Sequence, residues 1–447
     1  MDLSSNIVSP LLSLSIRRFY IEHLNDICAQ YSQIFNSLPS PSQLKTQNSK
    51  PKMKVATLQV LGFASNILAV PFSPPPEPAC KEIMLSISAT ANNTLLPPYP
   101  DVNTTSPAAF LKYLGLVANL TTPQWMNKVS GTYQISATYC EPTVKVQGRE
   151  NTIQLLLHGV AYTKSYWSGI DYRSPDFPNE YSWVATARSQ GYATLAVDNL
   201  GNGKSERPDP INVVQPPLQI EIMRQIIHGL RKRSLPSIPK SYKKVIFATH
   251  SFGSILGRAV ATLHPTEGAD AYVLTSTSGN LTGIMAAVGV FQGRSANVVD
   301  SLRFGSLPSG YLAVSAKGIR DAVYSYDSEF DAGVLAFDQT LPHTFVAGEI
   351  AGNAPNGLRP SNFTGPVFVL TGRYDQIACG AGNFTAVQAD CGVGKKSNPY
   401  VYTKPLFPKA RRFDTYVADH TGHDITLHYS AQENFGVVHE WLESVGF

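Results

Sequence analysis

The sequence has almost no excess of charge of either sign. Its 447 residues carry 36 Lys and Arg against 32 Asp and Glu, a formal net charge of +4. Residues 1–69 hold six of the basic and three of the acidic residues, which leaves 30 against 29 in residues 70–447. Proteins that bind nucleic acid neutralise phosphates with clustered basic residues. The charge balance therefore gives no reason to expect a nucleic-acid partner.

Cysteine is also scarce. The chain has five cysteines, at Cys28, Cys80, Cys140, Cys379 and Cys391. None belongs to a C-x-x-C pair, and no group of Cys and His has the spacing of a zinc site. We therefore expect no metal.

Long apolar runs are missing except for residues 55–69, which contain Gln59 and Asn66. About 15 residues is short for a bilayer span, which needs about 20. The run follows Met53-Lys54 and ends at Ala69 before a proline-rich break, the pattern of a secretory signal peptide over residues 53–69. A single membrane anchor behind a short cytoplasmic tail is the alternative. Because signal peptides begin at the initiator methionine, we interpret Met53 as the start and residues 1–52 as a non-native or disordered leader.

Two further features fit a secreted, extracellular protein without stable membrane association after cleavage. Six asparagines stand in glycosylation sequons: Asn92, Asn103, Asn119, Asn280, Asn362 and Asn383. Removal of residues 1–69 also removes Cys28 and leaves an even four cysteines. We predict the disulfides Cys379–Cys391 and Cys80–Cys140; four cysteines allow three connectivities, and proximity in sequence supports the first pair alone.

Strand and helix patterns alternate through most of the chain. After an irregular N-terminal extension expected over residues 70–130, apolar strands are predicted at 131–139, 152–157, 192–197, 245–248, 271–276, 366–371 and 412–418. Helical patterns lie between several of them, at 181–189, 218–230 and 252–263, and a last helix ends near residue 444. This rhythm predicts an α/β protein with a largely parallel sheet, formed by residues 131–279 and 363–447. The intervening residues 280–362 show helical patterns only, at about 295–304, 313–326 and 330–336, and are too many for a loop, so we expect a helical cap.

Residues 249–253, Thr-His-Ser-Phe-Gly, lie between a predicted strand and a predicted helix. A serine on such a tight turn needs small neighbours two residues away on either side, as in the pattern G-x-S-x-G. Gly253 meets this need, and Thr249 departs from the pattern. Ser251 is therefore the candidate nucleophile.

A serine nucleophile needs a general base, which an acid orients. His423 follows the last strand beside Gly422 and is the favoured base, with His420 as its rival and His428 expected to pack in the following helix. Asp375 follows the strand at 366–371 and is the favoured acid, because residues 277–280, after the preceding strand, contain none.

Two backbone amides are predicted to bind the oxyanion that develops during acyl transfer, those of Phe252 and Val160. Val160 follows His158-Gly159, and the alternative interpretation of these two residues is simply a tight turn after a strand. Residues 198–205 are a glycine-rich loop that lacks the third glycine of a dinucleotide site, so we expect no cofactor.

These motifs together resemble the α/β-hydrolase superfamily, specifically its capped serine hydrolases. The resemblance covers residues 134–447, through HGV at 158–160, DNLGNGKS at 198–205, THSFG at 249–253, GRYD at 372–375 and GHD at 422–424. The order Ser, Asp, His is that of the superfamily's triad. The extended N-terminus, cysteines and sequons resemble secreted fungal members.

The resemblance implies hydrolysis of an ester or lactone, and also admits a thioester or amide. We expect a secreted serine hydrolase whose partner is a small to medium apolar substrate. An acyltransferase or cyclase of secondary metabolism and a catalytically silent binding protein are the alternatives. Neither the substrate's identity nor the oligomeric state can be read from the residues.

Overall fold

An eight-stranded sheet forms the centre of the protein. The computed structural model describes residues 80–100, 108–118, 126–174, 178–279, 293–314, 323–324, 329–341, 344–352, 359–380 and 389–447. All of them belong to one structural unit, residues 78–447. The predicted leader and signal peptide lie outside the described residues.

The described elements follow the chain in this order. The strands are β1 Lys81–Thr94, β2 Met126–Cys140, β3 Thr152–Leu157, β4 Ala193–Val197, β5 Lys244–His250, β6 Ala271–Thr275, β7 Arg294–Ser295, β8 Tyr311–Ala313, β9 Thr344–Val346, β10 Pro366–Gly372 and β11 Arg412–Ala418. The helices are α1 Ala108–Ala118, α2 Trp183–Ser189, α3 Pro216–Lys232, α4 Phe252–Leu263, α5 Ala296–Val299, α6 Ser301–Phe304, α7 Ala332–Gln339, α8 Ala347–Ala351, α9 Gln376–Cys379, α10 Pro399–Thr403 and α11 Ala431–Ser444. Three short 3₁₀ turns lie at Lys164–Trp167, Gly169–Asp171 and Lys404–Leu406.

The central sheet has the strand order β1-β2-β4-β3-β5-β6-β10-β11. Strand β2 runs antiparallel to both of its neighbours, and every other pairing in this sheet is parallel. Strands β3, β4, β6 and β10 are buried along their whole length. A parallel sheet needs such strands because helices cover both of its faces. The predicted α/β fold with a mostly parallel sheet is confirmed.

Helices pack on both faces of this sheet. Helices α3 and α4 contact each other on one face, where α3 also lies against β1. On the other face α2 contacts α11. The carboxyl ends of the parallel strands meet at one edge, where ligands bind in open α/β sheets.

The N-terminal segment differs from the expected irregular extension. Strand β1 is 14 residues long and pairs with β2 along its whole length, and β2 begins at Met126 instead of residue 131. The period-two signal is present in β1, where Leu85, Ile87 and Ala89 are buried and the residues between them are exposed. On the exposed face, the side chains of Ser86, Ser88 and Thr90 form hydrogen bonds with side chains of β2, for example Ser88 with Thr132 over 2.8 Å. Because every second residue here is polar, the sequence of this strand is similar in composition to a loop.

The inserted cap also differs from the expected all-helical segment. Strands β7, β8 and β9 form a small antiparallel sheet, and the cap helices α5, α6, α7 and α8 are four to eight residues long. Of the helix predicted at 313–326, residues 315–322 and 325–326 lie outside the described residues, and Ala313 belongs to β8. Strands of two or three residues are too short to show a period.

Two disulfides join the cysteines as the sequence predicted, Cys80 to Cys140 and Cys379 to Cys391. The first ties the start of β1 to the end of β2. Two of the predicted glycosylation sites, Asn92 and Asn362, are exposed. Cys28 and the other four sites, Asn103, Asn119, Asn280 and Asn383, lie outside the described residues.

We predict that the long-range disulfide contributes more to stability than the short one. The Cys80–Cys140 bond closes a separation of 60 residues, and Cys379–Cys391 closes one of 12. On the loop-entropy model they contribute about 4 and about 3 kcal/mol. Urea unfolding of the Cys80→Ser/Cys140→Ser and Cys379→Ser/Cys391→Ser variants measures both losses. An equal or reversed order would contradict the prediction.

Candidate active site

Ser251 lies on the tight turn between β5 and α4. Its backbone has φ 53° and ψ −118°, a conformation that non-glycine residues rarely adopt. Its amide donates a hydrogen bond to the carbonyl of Thr275, at the end of β6, over 3.0 Å. The turn thus holds a strained serine at the carboxyl edge of the sheet, as the strand-turn-helix pattern predicted.

Two glycines let the segment after β3 pack directly against this turn. A Cβ on Gly253 would lie 2.6 Å from the carbonyl oxygen of His158. A Cβ on Gly159 would lie 2.9 Å from the Cβ of Ser251. Both distances are far below van der Waals contact. Glycine is therefore required at both positions by the close approach of two backbones.

Thr249, which stands where the pattern has a glycine, is accommodated by a glycine on the helix. A Cβ on Gly257 of α4 would lie 3.1 Å from both Cγ2 and Oγ1 of Thr249. The Thr249 hydroxyl also lies 3.1 Å from the hydroxyl of Ser254, which donates to the Thr249 carbonyl over 2.9 Å. The missing side chain at 257 makes room for the extra one at 249, so the departure leaves the turn intact.

The structure brings the predicted nucleophile, base and acid together. The Ser251 hydroxyl donates to Nε2 of His423 over 2.8 Å, and Nδ1 of His423 donates to Oδ1 of Asp375 over 2.8 Å. The His423 and Asp375 side chains are buried. The arrangement can pass the serine proton to an imidazole whose other nitrogen is held by a carboxylate.

Local backbone positions the acid. Asp375 is the N-cap of α9, and its Oδ1 also accepts from the amides of Ile377 and Ala378 over 3.0 and 2.8 Å. Burial alone would lower the pKa of His423, but the charge and hydrogen bond of Asp375, together with the charge of Asp424, raise it above its ordinary value. The site therefore favours the imidazolium that forms when His423 takes a proton.

The two other candidate histidines lie elsewhere. His420 has an exposed side chain that lies 3.6 Å from the Glu329 carboxylate. His428 is buried and precedes α11, whereas we had expected it inside that helix. Its Nδ1 donates to the carbonyl of Asp424 over 2.8 Å, and its Nε2 accepts from the amide of Gly422 over 3.1 Å. His428 is thus a packing histidine, as predicted, that shapes the His423 loop.

His158 holds the segment that carries the first predicted oxyanion amide. Its Nδ1 donates to the carbonyl of Gly159 over 2.7 Å, and its Nε2 accepts from the amide of Asn199 over 3.0 Å. Burial lowers its pKa, which keeps the ring neutral for this role. Among the described residues, neither the Val160 amide nor the Phe252 amide has a hydrogen-bond acceptor. Both are available to a ligand.

The glycine-rich loop at 198–205 has a structural role. The carboxylate of Asp198 accepts from the Lys164 ammonium over 3.1 Å, and from the amides of Lys164 and Lys204 over 2.8 and 3.0 Å. A Cβ on Gly203 would lie 2.2 Å from the Asp198 carboxyl carbon. The glycine lets the loop wrap around a buried carboxylate. No group of potential metal ligands occurs among the described residues.

A second histidine and aspartate, which the sequence analysis did not single out, lie beside the first pair. Nε2 of His250 lies 3.4 Å from Oδ1 of Asp424, and both side chains are buried. His250 precedes Ser251 and Asp424 follows His423. The sole sequence signal was this adjacency to the nucleophile and the base.

Comparison with known families assigns the chain. A family model described as the alpha/beta hydrolase family matches residues 154–435, more than half of the chain. The chain belongs to the alpha/beta hydrolase family. The predicted resemblance to that superfamily is thereby confirmed.

Several solved hydrolases are similar in structure at low identity. An epoxide hydrolase from Vigna radiata is 13% identical, with a TM-score of 0.43, and the match covers 70% of this chain and 95% of that one. A soluble variant of a monoglyceride lipase from Saccharomyces cerevisiae, solved with a substrate analogue, is 13% identical, with a TM-score of 0.44 and coverage of 78% and 99%. The search of curated proteins finds no match. The assignment of this hydrolase thus stands on the family model.

We predict that Gly253→Ala destabilises this hydrolase by about 1–3 kcal/mol, the range for overpacking. The added Cβ would lie 2.6 Å from the His158 carbonyl oxygen, which belongs to backbone and moves little. Gly436→Ala in α11 is the matched control, because a Cβ there meets nothing within 4 Å. Since alanine favours helix, the control should be neutral or up to about 1 kcal/mol more stable. Thermal unfolding of both variants tests this, and a stable Gly253→Ala protein would count against the packing described.

Proposed function

We propose that the protein is a serine hydrolase that cleaves an ester or lactone of a small to medium apolar substrate through an acyl-enzyme. One observation carries the proposal. Ser251, whose backbone is strained, is hydrogen-bonded over 2.8 Å to His423, which is hydrogen-bonded over 2.8 Å to the buried Asp375. The same chemistry extends to a thioester or an amide.

The geometry supports the following steps. Oγ of Ser251 attacks the substrate carbonyl carbon while Nε2 of His423 takes the hydroxyl proton. Asp375 holds Nδ1 protonated and stabilises the imidazolium. The tetrahedral intermediate collapses, the C–O bond to the alcohol breaks, and His423 gives its proton to the leaving oxygen. Water then attacks the acyl-enzyme by the same proton transfers and releases the acid and Ser251.

Two amides are proposed to hold the oxyanion, those of Phe252 and Val160. The support is that the Gly159 and Ser251 backbones approach closely and that neither amide has an acceptor among the described residues. Removal of one such donor costs about 3–4 kcal/mol in other enzymes.

The nucleophile argues against epoxide or halide chemistry for this chain. Opening an epoxide through an alkyl-ester intermediate needs a carboxylate nucleophile, and the turn after β5 carries Ser251 instead. An acyltransferase or cyclase would share the acyl-enzyme and differ in the nucleophile that resolves it. Product analysis with competing alcohols separates transfer from hydrolysis, and labelling of Ser251 separates both from a silent binding protein.

The cap, residues 280–362, is proposed to close an apolar pocket over Ser251. In support, cap backbone contacts the base directly: the amide of His423 donates to the carbonyl of Val323 over 2.8 Å. Tyr324 and Val334 of the cap also pack in the same apolar cluster as Tyr166. Residues 280–292 lie outside the described part of the chain.

We predict that Ser251→Ala and His423→Ala each lower turnover of an activated ester by at least about 10³-fold. The double variant should lose little more, because the triad acts as a unit. Asp375→Asn should also lose activity, through the wrong imidazole tautomer. His420→Ala is the matched control and should keep near wild-type kcat. A fluorophosphonate should label wild type at Ser251. An active Ser251→Ala enzyme, or a His420→Ala loss larger than that of His423→Ala, would refute the assignment.

We further propose that the protein is secreted after cleavage behind Ala69. Two disulfides in the described structure and the exposure of Asn92 and Asn362 support this, because disulfides persist in oxidising compartments. None of the described helices is long and apolar enough to cross a membrane.

N-terminal sequencing of protein from the culture medium should therefore find a chain that begins near Val70. Digestion with an N-glycosidase should lower its apparent mass. Recovery of the extracellular protein with Met1 intact would disprove both the cleavage and the proposed start at Met53.

A further inference from the structure

Asp424 is a second buried carboxylate beside the base, and the proposed triad chemistry does not use it. It directly follows His423, and its side chain is fully buried. Its Oδ1 faces Nε2 of His250 across 3.4 Å, and the rings of His250 and His423 lie 5.1 Å apart. A carboxylate with no water around it must be stabilised by its neighbours.

His250 supplies a fixed, neutral neighbour. Its ring stacks on Tyr166 at 4.1 Å, and Nδ1 lies 3.2 Å from the Tyr166 hydroxyl and 3.1 Å from the Thr275 hydroxyl. These contacts fix the ring so that Nε2 faces Asp424. Burial, reinforced by the nearby His423, lowers the pKa of His250 to about 4, so the ring stays uncharged at neutral pH.

Tyr162 makes a shorter contact with Asp424 than His250 does. Its hydroxyl lies 2.6 Å from Oδ2 of Asp424 and 2.9 Å from Oδ2 of Asp338, on cap helix α7. A phenol carries one proton and can donate to one of the two carboxyls at a time. Burial acts to raise the pKa of Asp424, but His250, His423 and the Tyr162 hydroxyl together lower it. The Tyr162 proton therefore belongs to Asp424, and Asp424 is ionised.

We propose that Asp424 is a positioning residue that stabilises the imidazolium form of His423, and that Tyr162 keeps Asp424 ionised for this task. The proposal rests on the proposed serine hydrolase function and deepens it. Asp375 accepts a hydrogen bond from Nδ1 of His423 and sets its tautomer. Asp424 acts on the same ring through its negative charge.

Among the described residues, the following groups face this pair. His423 is faced by Asp375 after β10, by Ser251 and His250 at the end of β5, and by Asp424 on its own loop. Asp424 is faced in addition by the neutral groups Tyr162, Tyr166 and His428. Each is uncharged at neutral pH, and the charges that raise the pKa of His423 are those of Asp375 and Asp424. The carboxyl of Asp338 on α7 lies on the other side of the shared Tyr162 hydroxyl, at 2.9 Å from it.

The sign of the effect follows from these charges. A negative charge near His423 favours its protonated form, which is the form it takes in the transition state. Loss of that charge makes His423 a weaker base. The acid limb of the kcat/KM profile, where the free base becomes protonated, then moves to lower pH, and kcat on the plateau falls.

The test compares pH profiles of kcat/KM for an activated ester in wild type and three variants. Asp424→Asn keeps the shape and removes the charge, so its acid limb should move to lower pH and its plateau kcat should fall about tenfold. Tyr162→Phe removes the hydroxyl that keeps Asp424 ionised, so its limb should move in the same direction by less. Tyr172→Phe is the matched control: its hydroxyl donates to Asp331 at the start of α7 over 3.1 Å and does not contact Asp424. Its limb should remain where that of wild type lies.

The outcomes separate this inference from the proposed function. An unshifted acid limb in a folded Asp424→Asn variant would overturn the role of Asp424 while the triad stands. Should Asp424→Asn not fold, the Tyr162→Phe profile decides, and an unshifted limb there overturns the proposal equally. A shift in Tyr172→Phe as large as that in Tyr162→Phe would show a general effect of cap contacts and would also overturn it. If wild type neither turns over esters nor reacts with a fluorophosphonate at Ser251, the proposed function itself fails.

Discussion

The close approach of two backbones at the carboxyl edge of the sheet is the constraint on which the site depends. The turn at Ser251 has a positive φ, and it holds because β5 and α4 lie on either side and the segment after β3 presses against it. That contact needs glycine at 159 and at 253. The same approach brings the Val160 and Phe252 amides to the serine. The strain at Ser251, its place at the sheet edge and the position of the two amides proposed as oxyanion donors thus follow from one packing contact.

The two carboxylates of the site are both buried, and this determines how strongly they act on His423. Asp375 and Asp424 are both fully buried, and each accepts hydrogen bonds or faces a polar ring. Low local polarity strengthens the interaction of each carboxylate with His423 and makes any unpaired charge costly. The protein avoids that cost with backbone amides for Asp375 and with Tyr162 and His250 for Asp424. His423, the proposed base, therefore has two buried carboxylates nearby, and each of them has its own hydrogen-bond donors.

Sequence reasoning worked where local pattern and tertiary structure agree. Strands β3 to β6 and β10 are largely apolar and buried, and Ser251, Asp375 and His423 lie in the segments after β5, β10 and β11, so order and context predicted that these three side chains meet. Strand β1 was missed because serine and threonine fill its exposed face, and the cap sheet because its strands are two or three residues long. The sequence marked Thr249 as a departure from the pattern, and its compensation by Gly257 is visible only in the folded structure. Nothing local marks Tyr162 or Asp338, which are 176 residues apart.

The position of the insertion explains why the cap and the base are connected. The cap leaves the sheet after β6, so it emerges beside Ser276 at the carboxyl edge that carries the site, and the chain returns to the start of β10 at the opposite edge. At the carboxyl edge Val323 accepts the amide hydrogen bond of His423, and Asp338 shares the Tyr162 hydroxyl with Asp424. Movement of α7 over a substrate would therefore change the surroundings of the base as well as the shape of the pocket.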